Sequence, residues 1–251
     1  MFLFRTPNKS VLFTGDFRLG INDVCKLSQL HIKGEPIRID KMYVDTTFFD
    51  SLYEQFPKRS DSVAYAVTEI KKWMDADAGN HVALHPSARF GYEYVFNEIF
   101  KQLNMRVYIN EEDWQLYRSY QALVPGVTND SKTTRIHKCR NRTENYPHKC
   151  LPQNTAKKFL FVHLSAMKWS HFSDEDPTYC WKSDKRLDIC FPTHCSKNEI
   201  VHFVSYFSPK TIVGFPNPYV VDDVRQETRV VFKAAKRKRS LCCNSKKVKI
   251  L

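Results

Sequence analysis

The chain has 251 residues, 42% hydrophobic and 14% aromatic, with 39 Lys and Arg against 27 Asp and Glu for a net charge of +12. That much apolar material excludes a disordered or low-complexity protein, and the length allows one or two domains at about 150 residues each. No apolar run approaches the roughly 18 residues of a membrane span, the longest lying near Phe159–Met167 with His163 inside it.

Met1–Phe4 reads as a buried strand, Thr6-Pro7-Asn8-Lys9 as a turn and Val11–Thr14 as the returning strand of a hairpin. A strand at the very first residue implies a chain that opens inside a domain. Met1-Phe2-Leu3-Phe4-Arg5 lacks the basic and apolar regions of a signal peptide, so the eight cysteines are expected to be reduced thiols of a soluble intracellular protein. Lys41–Asp45 is a short strand ending in an acid. Val63, Ala66, Val67, Ile70, Trp73 and Met74 fall at helical spacing. Asn80–Leu84 reads as a strand, Gly91–Leu103 as an amphipathic helix and Met105–Ile109 as the next strand. That βαβ rhythm predicts an α/β fold with a parallel or mixed sheet. Asn129–Asn154 turns polar and basic and reads as a loop-built subdomain. Phe159–Leu164, Leu187–Phe191 and Thr211–Phe215 resume strands, with a helix over Lys197–Phe207 and a rigid exit at Phe215-Pro216-Asn217-Pro218.

The charge is concentrated. Lys233–Leu251 holds eight basic residues and no acid, and Ser131–Lys168 holds nine against Glu144 alone, so the rest of the chain carries −4 of the +12. Two basic zones on a slightly acidic body predict a polyanionic partner, the alternative being a solvated face and a solubilising tail.

Three residues share one local grammar, a metal-capable side chain just past a strand: Asp16 in Thr14-Gly15-Asp16-Phe17-Arg18, Asp45 in Val44-Asp45-Thr46-Thr47, and His194 in Phe191-Pro192-Thr193-His194-Cys195. Strand ends are where α/β sheets place their sites, and carboxylate oxygen with imidazole nitrogen suits Zn²⁺ or a similar ion. Each also has an ordinary use. Asp16 and Asp45 can cap turns, and His194 can be a hydrogen-bonded core imidazole.

MFLF, VLFTGDFRLG, YVDTTFFD, RFGYEYVF, RIHKCR and FPTHCSKNEI together resemble the metallo-β-lactamase/β-CASP DNA nucleases. The GYEY helix start and the H-x-C pair place the likeness in the branch that processes DNA ends rather than the cross-link-repair branch. It runs with few gaps from Met1 to about Pro218. The resemblance implies a truncated metallo-β-lactamase αββα fold with an inserted β-CASP domain. Its parts are a partial metallo-β-lactamase domain over 1–44, the β-CASP domain over 45–154, the C-terminal metallo-β-lactamase part over 155–232 and a basic tail over 233–251. Asp16 falls on the acid that joins the metal centre, His194 on the last histidine ligand, and Asp45 on the first β-CASP motif, which supports the ligands. Arg18 lies in the same TGDFR segment with no role attached. The family's H-x-H-x-D-H sequence occurs nowhere in these residues, nor does the histidine ligand upstream of the strand matching Met1–Phe4. The chain is therefore expected to be a fragment or truncated product, or to have lost activity, and a divalent active-site metal is expected only if the missing segment is supplied.

The resemblance also implies a structural zinc on His137, Cys139 and Cys150. The family's fourth histidine falls on Tyr108, and His148, in the second H-x-C unit, is the expected replacement. Lys138, Arg140 and Arg142 are the expected phosphate contacts. Lys236-Arg237-Lys238-Arg239 is the expected nuclear localisation signal, with Cys242-Cys243 in the tail given no role. The function implied is a 5'-3' exonuclease and overhang or hairpin endonuclease for double-strand-break repair by non-homologous end joining and V(D)J recombination. Expected partners are DNA ends, a DNA-dependent protein kinase and an end-joining ligase complex, in the nucleus and away from membranes. The rival reading is a non-catalytic protein that binds DNA ends or a partner through the β-CASP surface.

Overall fold

The structure, a computed structural model, describes residues 1–139 and 158–220. Its strands are β1 (Phe2–Arg5), β2 (Ser10–Phe13), β3 (His31–Ile32), β4 (Glu35–Pro36), β5 (Lys41–Asp45), β6 (Asn80–Pro86), β7 (Val107–Tyr108), β8 (Val127–Thr128), β9 (Ile136–Lys138), β10 (Lys158–Ser165), β11 (Tyr179–Ser183), β12 (Arg186–Cys190) and β13 (Thr211–Phe215). The α-helices are α1 (Arg59–Ala76), α2 (Glu93–Leu103), α3 (Glu111–Tyr117) and α4 (Lys197–Phe207). They form two compact units. The first comprises Met1–Phe56, Ser170–Ser173 and the described part of Thr193–Leu251; the second comprises Pro57–Trp169 and Asp174–Pro192.

In the first unit four strands run in the order β1-β2-β5-β13. The β1–β2 hairpin is antiparallel, and the β2–β5 and β5–β13 pairs are parallel. Leu12, Met42 and Val44 point to one face and pack with Ile200, Phe203, Val204 and Phe207 of α4, whose spacing is one helical stripe. Burying each such side chain stabilises by about 1.5–3 kcal/mol. Helix α4 starts where Ser196 accepts from the Glu199 N–H while the Glu199 carboxylate accepts from the Ser196 N–H, a capping box. The register puts Phe2, Phe4, Phe13, Tyr43 and Phe215 on the other face. There Phe13 stacks on Tyr43 at 4.9 Å and on Phe215 at 5.2 Å, and Phe2, Phe4 and Phe13 are exposed.

In the second unit seven strands run in the order β11-β12-β10-β6-β9-β7-β8, parallel except for the β11–β12 pair. Helices α1 and α2 bury Val63, Val67, Ile70, Val95, Phe96 and Ile99 with Val82, Leu84, Leu160 and Val162 from one side of that sheet. Ala83, Cys139, Phe159 and Phe161 form a smaller cluster that includes Tyr108 at its margin.

The compact units divide elsewhere than the expected boundaries at 45 and 154. Residues 45–56 stay with the first unit because β5 lies between β2 and β13. The second unit continues to Pro192 because β10 hydrogen-bonds alongside β6 and β12 alongside β10. The loop-built reading of Asn129–Asn154 is also corrected in its first part. Ile136–Lys138 is a strand inserted between β6 and β7, too short for any periodicity to announce.

Candidate metal centre

Asp16 follows β2 through a turn that only the hydrogen-bonding of Thr14 and the freedom of glycine allow. The Thr14 N–H donates to the Tyr43 carbonyl at 2.9 Å, so the strand still runs beside β5, and then Gly15 adopts φ +61°. The Thr14 hydroxyl donates to the Gly15 carbonyl and accepts the Asp45 N–H at 3.0 Å, fixing the two acid-bearing segments together.

Asp45 ends β5 and is 1% exposed. One carboxylate oxygen accepts from the Thr47 N–H and hydroxyl at 3.0 and 2.6 Å; the other accepts from Nδ1 of His194 at 2.6 Å. Burial pushes its carboxyl up, but the hydrogen bonds from His194 and Thr47 outweigh it and hold the group below the usual carboxylate range. With Nδ1 on the carboxylate, Nε2 is the ring nitrogen that carries a lone pair. This is the arrangement in which a carboxylate orients a metal-binding imidazole.

His194 is placed by the segment leading into α4. The Cys195 N–H donates to the Phe17 carbonyl at 2.9 Å, and Phe48 and Ser196 form a parallel bridge. The Phe48 ring stands edge-on to the imidazole at 5.9 Å. Ligand atoms of Asp16, Asp45 and His194 all lie within 4.8 Å of one another, with Asp16 exposed, His194 half-buried and Asp45 buried. An imidazole with carboxylate oxygens is a donor set that fits Zn²⁺ or Mn²⁺ as part of a coordination sphere. Cys195, next in sequence, has its sulfur on the Leu19 N–H at 3.3 Å, and burial pushes its thiol up.

The zinc residues are only partly within the described chain. His137 is 1% exposed, with neither ring nitrogen given a hydrogen-bond partner among the described residues, and Cys139 is buried on the following turn of chain. Tyr108 sits opposite His137 in the β7–β9 register. His148 and Cys150 lie outside the described residues, as do Arg140, Arg142, Lys236, Arg237, Lys238 and Arg239. Lys138 corrects its reading as a phosphate contact. Its side chain is 4% exposed, with the ammonium 2.9 Å from Asp113 and 2.8 Å from the Arg89 carbonyl. The sequence reading missed Thr14 and Thr47, whose hydroxyls organise the acids, and gave Arg18 no role. Only adjacency to Asp16 and Asp45 marks them in the sequence.

The chain is a mixed α/β protein with two carboxylates and a histidine brought together in one unit, and its sequence resembles nucleases of the metallo-β-lactamase/β-CASP family. The relatives are Artemis proteins. The chain is 30% identical over 225 residues to protein artemis of Homo sapiens and of Pongo abelii, covering 86% of this chain and 32% of each of them. Against the Danio rerio protein it is 28% identical over 225 residues, covering 86% and 34%. The chain thus spans about a third of the length of these relatives. No family model matches it. A solved protein of unknown function from Enterococcus faecalis V583 superimposes with a TM-score of 0.47 at 14% identity, over 84% of this chain and 53% of that one. Among the described residues no helix is long and apolar enough to cross a membrane.

Proposed function

We propose that the chain is an Artemis-like DNA-end nuclease chain, acting as 5'-3' exonuclease and overhang or hairpin endonuclease in non-homologous end joining and V(D)J recombination. The observation that carries this reading is the convergence within 4.8 Å of Asp16 after β2, Asp45 at the end of β5 and His194 just before α4. Asp16 and His194 are the ligands and Asp45 holds the imidazole. A divalent ion bound there would supply Lewis acidity and a more acidic water for phosphodiester hydrolysis. DNA ends are the partner, with a DNA-dependent protein kinase and an end-joining ligase complex, and the location is the nucleus. A structural zinc on His137, Cys139, His148 and Cys150 belongs to the same reading.

Two ligands do not complete a hydrolytic site, and no H-x-H-x-D-H occurs in the 251 residues. These residues by themselves are therefore inactive, and the experiment is a nuclease assay on hairpin and overhang DNA with two chains. The chain alone should not cut above background. Joined to an upstream segment carrying H-x-H-x-D-H it should cut, and Asp16→Asn or His194→Ala should abolish that cleavage. The ligand count also favours a second reading, a non-catalytic DNA-end or partner-binding protein. It prevails if the joined chain binds DNA ends and still does not cut them.

A further inference from the structure

The three residues of the centre come from segments far apart in the chain, and one buried side chain on the first of them reaches the other two. Arg18 lies two residues past Asp16. Its Nη2 stands 3.2 Å from the Glu199 carboxylate and its Nε 3.3 Å from both carboxylate oxygens. Its Nη2 also reaches the Phe56 carbonyl at 3.5 Å, with the guanidinium 5.5 Å from the Phe56 ring centroid. Glu199 in turn accepts the Ser196 N–H, two residues past His194, while Phe56 closes the segment that begins at Asp45. The Arg18 and Glu199 side chains are 6% and 12% exposed, so neither can be satisfied by water if the other is lost.

The backbone repeats the same connections. The Leu19 N–H donates to the Cys195 sulfur at 3.3 Å, beside the Cys195 to Phe17 hydrogen bond, and the Asn198 N–H donates to the Glu54 carbonyl at 3.0 Å. The planar fork of arginine is what makes the link directional; a lysine would supply charge at one point only.

Resting on the metal-centre reading above, we propose that Arg18 is the positioning residue of the centre. Through Glu199 it sets His194, and through Phe56 it sets the Asp45 segment, against Asp16. Its effect is on the spacing of the donors, as expected of partners outside the coordination sphere, whose loss typically lowers metal affinity about 10–100-fold.

The test uses the full chain and Zn²⁺ or Co²⁺ alone, with affinity by calorimetry and the Co²⁺ visible spectrum as a report of geometry. Arg18→Lys should weaken binding about tenfold or more and move the Co²⁺ bands. Glu199→Gln, which keeps the capping hydrogen bond through its amide oxygen, should do the same and carries the decision if Arg18→Lys does not fold. Val204→Ala, which loosens the same helix without touching Arg18, should lower the melting temperature and leave affinity and bands unchanged. If the folded Arg18 and Glu199 variants bind within twofold of the parent with unchanged bands, the positioning role is overturned. If the parent binds neither ion in a manner dependent on Asp16 and His194, the metal-centre reading itself fails instead.

Discussion

Lys138 holds its ammonium 2.9 Å from Asp113 at a site where both side chains are almost without solvent, and Arg89 reaches the same acid at 3.0 Å. A charge so placed contributes to the fold and cannot reach a phosphate. Lys138→Ala should cost about 3 kcal/mol in chemical denaturation, since it removes the buried ammonium that faces the buried carboxylate, yet leave the salt dependence of DNA binding unchanged. A flattened salt slope in a fluorescence-anisotropy titration of that variant would return Lys138 to the DNA interface. Asp40 shows a different use of charge. The Lys210 ammonium and the Ser10 N–H hold its carboxyl down to about 2, tying the segment before β5 to β2 and to the segment before β13. A depressed acid stabilises the folded state above its unfolded value near about 4 and ceases to do so as pH falls towards 2. Asp40→Asn should therefore lower the melting temperature at pH 7 and lose most of that deficit by pH 2. An equal deficit at both values would show that shape, rather than charge, is what Asp40 supplies.

At the scale of elements, the four-stranded sheet is apolar on both faces, but α4 covers only one of them among the described residues. The other exposes Phe4 at 53% and Phe2 and Phe13 at 37% each. An apolar sheet face of this kind drives association, and among the described residues β1 is an edge strand of it. The 251-residue chain should self-associate with rising concentration in sedimentation velocity. Phe4→Ser with Phe13→Thr should shift it towards monomer without loss of secondary structure. Unchanged sedimentation would mean that the face is already covered in solution. Thr211–Phe215 and Lys197–Phe207 were expected with the ends observed, because one is a compact apolar run and the other carries a helical stripe behind Ser196 and Glu199. In the second unit no sequence pattern marks α3 or β11. Helix α3 is seven residues capped by Asn110 and rich in acids, and β11 is an edge strand whose YCWKS pattern resembles a loop.

For the whole molecule, a net charge of +12 with eight basic residues in Lys233–Leu251 favours polyanions at long range, and on the proposed function that attraction to DNA should be screened by salt. Binding to a hairpin oligonucleotide should weaken steeply between 50 and 200 mM salt. Deleting Lys233–Leu251 should reduce that slope, while Arg140→Ala with Arg142→Ala should reduce it by about two phosphate contacts. A slope indifferent to both changes would place DNA binding elsewhere on the chain.

The sequence by itself determined the α/β class, most of the strands and helices of the sheet cores, and the identity of Asp16, Asp45 and His194 as metal-capable residues. Those follow from local properties: period, turn chemistry and a polar side chain at a strand's end. Only the tertiary structure decided that these three meet within 4.8 Å, that Lys138 is sealed against Asp113, and that Arg18 and Glu199, 181 residues apart, share one buried ion pair. Each of these depends on which segments lie side by side. Side-by-side placement is set by packing between elements distant in sequence, and no local pattern of residues encodes it.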